Sequence, residues 1–348
     1  MKATRLRPSP LAPIVAVMLV AALVVGACSA GGSSPSAGPG GSVTPTRLVV
    51  GLGYIPSVQF AQFYLAQQAG YYAAAGLEVE FQNKIDPDLI PLVGAGKIDV
   101  GIGDGTSVMP AVSNGIPVRY IATIYGRFPN IVFAKASSGI KTASDLAGKR
   151  IGTPGRYGSG WILLQAMLGT GGLTTGDVEI IEYPDFTQRA AVEKGAVDAA
   201  TGFSNNEPVQ MERAGTPTVV LHIDDAIALP GPGLIAGTST LEAKHDAIAG
   251  FVAATLRAMN DIKANPTAGL DAAIKAVPEL AKDRDAQAAV LAATIESWSG
   301  PLQGTLGLGA IDSDGWAASI KLLGDMKLLP NPVEVGQLVR TDLLPARD

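Results

Sequence analysis

The sequence predicts an α/β protein of two hinge-linked lobes facing one cleft, each lobe a mostly parallel sheet flanked by helices. Three observations predict it. A pattern occurs twice: Gly96-Lys-Ile-Asp99-Val-Gly-Ile-Gly103 returns as Gly195-Ala-Val-Asp198-Ala-Ala-Thr-Gly202. Each copy follows an apolar helical stretch and runs into a polar cluster, Asp104, Thr106 and Ser107 after the first, Ser204, Asn205, Asn206 and Glu207 after the second. Strand and helix patterns also alternate, a βαβα rhythm that builds mostly parallel sheets covered by helices. Ligands in open α/β sheets bind beyond the carboxyl ends of the strands, so the two clusters predict a small-molecule site between the lobes.

The N-terminus predicts where that site works. Lys2, Arg5 and Arg7 precede an apolar run from Leu11 to Val25. The run has the length of a signal-peptide core and falls short of the ~20 residues of a membrane span. It ends in Val25-Gly26-Ala27-Cys28, which resembles a bacterial lipobox. Residues 1–27 are expected as a lipoprotein signal peptide, with Cys28 lipidated. Cys28 is the single cysteine, so a disulfide within the chain is excluded. Residues 28–45 are rich in Gly, Ser and Pro. Such a segment cannot bury a core and is expected as a tether. The expectation is an exported body held by lipid to the outer face of a bacterial membrane.

Composition narrows the function. The 348 residues, 47% hydrophobic and 16% charged, suffice for one large or two medium domains with real cores. The net charge of −5 and the absence of a basic block argue against nucleic acid as a partner. Only His222 and His245 are present, so a zinc or redox site is hard to assemble. No metal and no cofactor are expected, and the body is expected as a monomer.

The elements follow in order. Residues 47–53 read as a strand through Leu48-Val49-Val50. Pro56 starts a helix after it, with Ser57 as N-cap, and Val58, Ala61, Leu65 and Ala69 at helical spacing are expected to face the core. Gly70 and Gly76 end this helix and the short one after it. Leu77-Glu78-Val79-Glu80-Phe81 alternates as a half-buried strand. A helix over 87–95, a strand over 98–102, a helix from 107 to 113 and a strand over 118–124 complete the rhythm. A strand over 130–134 leads into the crossing, so lobe 1 is placed at 46–134 and lobe 2 at 135–230. Lobe 2 reads as a short helix at 144–146, a strand around Ile151, a glycine-rich turn at 155–160 and a helix over 161–168. Strands at 178–182, 197–201 and 219–222 follow, the last holding His222 in an apolar setting. Pro230-Gly231-Pro232-Gly233 marks the return crossing. Residues 231–348 are read as mostly helical, with helices at 247–264, 268–277 and 285–298 packing back on the first lobe.

The lipobox, tether and two-lobed order resemble the substrate-binding lipoproteins of bacterial ABC importers. Ser144-Asp145-Leu146-Ala147-Gly148-Lys149 looks like the lead-in to their second lobe. Gly53-Tyr54-Ile55-Pro56, with Phe60, Phe63-Tyr64 and Gly70-Tyr71-Tyr72, is similar to the thiamine-pyrimidine and sulfonate/nitrate group. Gly202-Phe203-Ser204-Asn205-Asn206-Glu207-Pro208 is more specific and resembles a signature of binders for thiamine pyrimidine precursors and riboflavin. The resemblance implies a type II periplasmic-binding-protein fold closing on its ligand, and an ABC permease with its ATPase as partners. Related pyrimidine-making enzymes carry a cysteine-rich iron motif that this chain lacks, so the resemblance implies binding without catalysis.

Glu207 is the sharpest candidate: a carboxylate accepts bonds from an amino group and ring N–H of an aminopyrimidine, or from a flavin imide, at about 1.5–3 kcal/mol each. Alternatively, it complements the dipole of a helix start. Asn205 and Asn206 adjoin it. Tyr54, Tyr157 and Phe203 could stack on a flat ring, whereas Phe60 and Trp161 read more as core. Asp104, Ser107 and Gln59 fall at the first lobe's strand end or helix start, and Asp104 could bind or cap. Ser159, in the glycine-rich turn, together with Arg156 and Arg127, offers the alternative of a sulfonate, taurine or nitrate site at a helix N-terminus. Asp99 and Asp198 are expected to be structural. Asp312-Ser313-Asp314-Gly315 resembles part of a calcium loop without its spacing or closing Glu. With no nucleophile–base pair and no cofactor loop, a binder is expected rather than an enzyme.

Overall fold

Two mixed sheets carry the architecture. The computed structural model describes residues 44–83, 88–223 and 229–346. The expected signal peptide, Cys28 and nearly all of the tether lie outside the described residues. The strands are β1 Thr46–Gly51, β2 Leu77–Gln82, β3 Val100–Asp104, β4 Val118–Thr123, β5 Asn130–Lys135, β6 Arg150–Thr153, β7 Glu179–Glu182, β8 Ala199–Phe203, β9 Thr218–Leu221 and β10 Pro232–Gly237. They form two five-stranded sheets, ordered β2-β1-β3-β10-β4 and β7-β6-β8-β5-β9.

Each sheet has one opposing strand. β1 runs parallel to β2 and β3, while β10 runs antiparallel to β3 and β4. β6 runs parallel to β7 and β8, while β5 runs antiparallel to β8 and β9. The opposing strands, β5 and β10, are those that enter directly after a crossing. The first crossing therefore precedes β5, within residues 124–129, rather than following residue 134 as expected. The reason is burial: Ile131, Val132 and Phe133 are fully buried, and a continuous apolar run belongs between two neighbours inside a sheet.

The segment after β1 follows its sequence signals, then departs from them. Ser57 caps a 3₁₀ turn over Val58–Phe60, accepting from Gln59 N at 3.3 Å, and a helix follows over Ala61–Gln68. Val58 and Ala61 are fully buried, but Leu65 is only half-buried and Ala69 is exposed. Phe63 and Ala66 are fully buried instead. The helix is wedged between its sheet and the C-terminal helices His245–Ala264 and Pro266–Ala276, so it is covered on more than one face. Phe63 stacks on Phe251 of the return at 6.2 Å, and Tyr72 stacks on the same ring at 4.9 Å. Each buried phenyl contributes about 1.5–3 kcal/mol. The C-terminal helices thus share one core with β1, through Leu48, Val50, Phe251, Val252, Leu291 and Trp298.

The repeat explains how the strand ends are aimed. Gly96 and Gly195 both sit at positive φ, 65° and 72°. After each, an aspartate brackets the neighbouring strand. Val49 N donates to Asp99 Oδ2 at 2.9 Å and Asp99 N donates to Val49 O at 2.9 Å. In the second lobe Arg150 N donates to Asp198 Oδ2 at 2.9 Å and Asp198 N donates to Arg150 O at 2.9 Å. The other carboxylate oxygen meets Lys244 Nζ in lobe 1 and the Arg150 guanidinium in lobe 2, both at 2.8 Å. The expected structural role of both aspartates is what the geometry shows.

Candidate functional site

A cavity of about 160 Å³ lies where the carboxyl ends of the two sheets face each other. Lobe 1 lines it with Tyr54, Gln59, Phe60, Gln62 and Asp104. Lobe 2 contributes Asn130, Tyr157, Ser159, Phe186, Gln188, Phe203, Asn206 and Glu207.

Glu207 begins the helix Glu207–Arg213 and folds back over the end of β8. Phe203 N donates to its Oε2 at 2.7 Å, and Asn206 Nδ2 to its Oε1 at 3.3 Å. Gly202 makes room for this, since a Cβ there would meet Glu207 Oε2 at 2.8 Å. Burial pushes the Glu207 carboxyl above the usual range, with the Phe203 and Glu207 backbone N–H groups and the Arg189 charge pulling the other way. Glu207 therefore occupies both positions the sequence allowed: first turn of a helix and wall of the cavity.

Aromatic rings frame the opening. Tyr54 meets Phe186 edge-on at 5.0 Å across the lobes, and Tyr125 meets Phe203 at 6.5 Å. Burial raises the Tyr54 hydroxyl, and the nearby Glu207 charge raises it further. Phe186 has φ of 58°, the left-handed region that non-glycine residues rarely adopt. Such strain clusters at ligand clamps. Phe60, read as core, also lines the cavity, whereas Trp161 does not.

Asp104 stands at the N-cap of the helix Gly105–Ser113, but its side chain makes no capping bond there. It accepts from Ser159 Oγ at 2.9 Å, on the first turn of the helix Gly158–Thr170 in the other lobe. Gly158, Ser159 and Gly160 line the cavity, but Arg156 does not: it pairs with Glu182 at 3.1 Å and lies over the Trp161 ring at 5.5 Å. No Lys or Arg lines the cavity among the described residues, while two carboxylates do.

Three expected residues lie elsewhere. Asn205 is buried outside the cavity lining, donating to Gln59 Oε1 at 2.9 Å and Thr294 Oγ1 at 2.8 Å, so it clasps lobe 2 to lobe 1. Ser107 is buried in the helix Gly105–Ser113 and does not line the cavity. Arg127 is exposed on a second cavity of about 280 Å³, its backbone N tied to Ser297 O at 3.1 Å. His222 lies just past β9 and is exposed. Asp312 caps the helix Ser313–Asp325, accepting from Gly315 N at 3.0 Å. Among the described residues no group of three or more His, Cys, Asp or Glu is placed to hold a metal ion.

Sequence reasoning missed Gln62, Asn130, Phe186 and Gln188. A signal existed for one of them: Gln59 and Gln62 sit three residues apart within the apolar run Val58 to Ala66, a polar pair on one face of a buried segment.

Residues 57–269 match the model of the family described as NMT1/THI5 like. The chain belongs to that family. A riboflavin-binding protein, RibY of Chloroflexus aurantiacus, is 33% identical over 334 residues, covering 93% of this chain and 95% of that protein. A 4-amino-5-hydroxymethyl-2-methylpyrimidine phosphate synthase of Legionella pneumophila is 25% identical, covering 68% of this chain and 75% of that protein. Among solved structures, the alkanesulfonate-binding protein SsuA from Xanthomonas axonopodis pv. citri, bound to MOPS, aligns with a TM-score of 0.68 at 18% identity. It covers 85% of this chain and 99% of that chain. The two-lobed architecture of this NMT1/THI5-like protein is thus the periplasmic-binding-protein fold.

Proposed function

We propose that this chain is a solute-binding protein that captures a flat, uncharged heteroaromatic nutrient between its lobes. Riboflavin is the first candidate, and a thiamine-type pyrimidine the second. The observation that carries the reading is the cavity lining: aromatic rings from both lobes, a buried Glu207 carboxylate, and no cationic side chain among the described residues. Rings stack on a flat heterocycle, each pair adding about 0.5–1.5 kcal/mol. Glu207 accepts an N–H or O–H of the ligand, with Asn206 holding the carboxylate in place. An anion would meet Asp104 and Glu207 without a counter-charge. The extensive match to a riboflavin-binding relative supports the flavin over the pyrimidine.

The lobes close around the ligand, and contacts from both sides select the closed form. Asp104 with Ser159, Tyr54 with Phe186, and the Asn205 clasp are among the contacts that join them. The closed protein then delivers its cargo to an ABC permease and its ATPase. Lipid on Cys28 holds it to the outer face of the cell membrane. In this reading the protein binds without catalysing.

The test is an intrinsic-fluorescence titration of the body from Thr46 onward with riboflavin, hydroxymethylpyrimidine, taurine and nitrate. Saturable quenching by riboflavin or the pyrimidine is expected. A response to the anions alone would overturn the reading and move the site to the start of the helix Gly158–Thr170.

A further inference from the structure

Three buried amides line the cavity with atoms that no protein group satisfies. Gln62 Nε2 and Oε1 both lack a protein partner, as do Asn130 Nδ2 and Gln188 Oε1. These residues are 1%, 2% and 2% exposed. A buried polar atom left without a bond costs about 1–3 kcal/mol, and native proteins keep few of them.

Gln62 is the sharpest of the three. It sits between the fully buried Ala61 and Phe63 and belongs to the cavity wall, and both functions of its buried amide lack a protein partner. Gln59, three residues earlier, shows the contrast: its Oε1 accepts from Asn205 and its Nε2 donates to Ser57. A primary amide presents a donor and an acceptor side by side. Its complement is an edge with the same two functions, such as a lactam, an imide or the amino–ring-nitrogen edge of a pyrimidine. Because neither atom of the Gln62 amide is committed to a protein partner, either orientation of the amide satisfies such an edge.

We infer that Gln62 is a specificity-determining residue, reading a donor–acceptor edge of an uncharged ring through two hydrogen bonds from lobe 1. Asn130 and Gln188 offer a donor and an acceptor from lobe 2. An oxoanion supplies acceptors alone and would leave Gln62 Oε1 and Gln188 Oε1 unpaired. The inference rests on the heteroaromatic reading above and names the part of the ligand that is recognised.

The experiment titrates riboflavin and lumichrome, which shares the imide edge but lacks the sugar-alcohol tail, against the wild-type body, Gln62→Met and Gln62→Glu. Gln62→Met keeps length and volume without strong hydrogen bonding. It is expected to weaken both ligands by a common factor of about tenfold, the loss of hydrogen bonds from a buried site. The empty Gln62→Met protein is expected to melt at the same or a higher temperature, since an unsatisfied amide has gone. Gln62→Glu, which keeps acceptors and loses the amide donor, is expected to weaken both ligands as well. Unchanged affinity in Gln62→Met with a lowered melting temperature would make Gln62 a packing residue and overturn the inference alone. A loss for riboflavin only would also overturn it, by assigning Gln62 to the tail. Failure of the wild-type body to bind any ring compound would remove the heteroaromatic reading and this inference together.

Discussion

The two copies of the repeat are alike up to their last glycine and unlike after it. Up to Gly103 and Gly202 they do the same work. A left-handed glycine turns the chain, an aspartate brackets the adjacent strand, and a basic side chain neutralises it. Beyond the glycines, Asp104 reaches across to Ser159 of the other lobe, whereas Glu207 curls back onto the N–H of Phe203 in its own lobe. The shared half aims the strand ends, and the unshared half sets what those ends present. One copy supplies a contact that joins the lobes, and the other supplies a buried carboxylate to the cavity wall.

The comparison breaks most sharply in its shared half. Asp99→Ala and Asp198→Ala each orphan a strand N–H and a nearby cation, at a cost of about 1–3 kcal/mol of stability. Asp99 is expected to cost more, because its side chain is 13% exposed against 33% for Asp198. Denaturant melts of both variants measure this, and equal losses would deny that burial separates the two copies. Next comes Glu207→Ala, expected to weaken ligand binding by about tenfold or more while the protein remains folded, as for a lost charge-assisted bond. Calorimetry showing unchanged affinity would return Glu207 to a purely local role.

A pH series sharpens the same point. Burial raises the Glu207 carboxyl above its unfolded value. Its contribution to the stability of the empty protein is therefore present below that unfolded value and lost as pH rises through the folded one. Binding runs the other way, since a ligand donor prefers the ionised carboxylate. Riboflavin affinity is expected to fall as pH drops through the raised value, and Glu207→Gln to flatten that slope. The smallest effect belongs to Ser159→Ala, which removes one cross-lobe bond to Asp104. It is expected to reduce affinity by about two- to fivefold, read as a change in ligand-dependent quenching, and to leave the melting temperature nearly unchanged.

The sequence showed what depends on local pattern. Alternation revealed β2, the repeat revealed both aspartates and both strand ends, and the Asn206-Glu207 pair marked a cavity wall. Residues set by tertiary direction were not legible. Phe186 reaches the cavity through a left-handed backbone that no motif announces. Gln62 lies on a helix covered on several faces, so periodicity could not tell its cavity side from its core side. Asn205 stood in the right cluster but points between the lobes, because successive residues after β8 face different ways. The crossing was misplaced at residue 134 because a strand's sequence gives its burial without naming the sheet that buries it.

The sheet order also governs when each half can be finished. Lobe 2 is continuous from β5 to β9, but the first sheet needs β10 between β3 and β4, and its core needs the helices that follow. A chain that emerges N-terminus first can therefore complete its second half while its first half still waits for a middle strand. Contacts distant in sequence form slowly, so the waiting half spends longest with its strand edges bare. Pulse-labelled hydrogen exchange during refolding should protect β6 and β8 before β3 and β4. That interval is when a chaperone would act, and β3 and β4 are the edges it would cover.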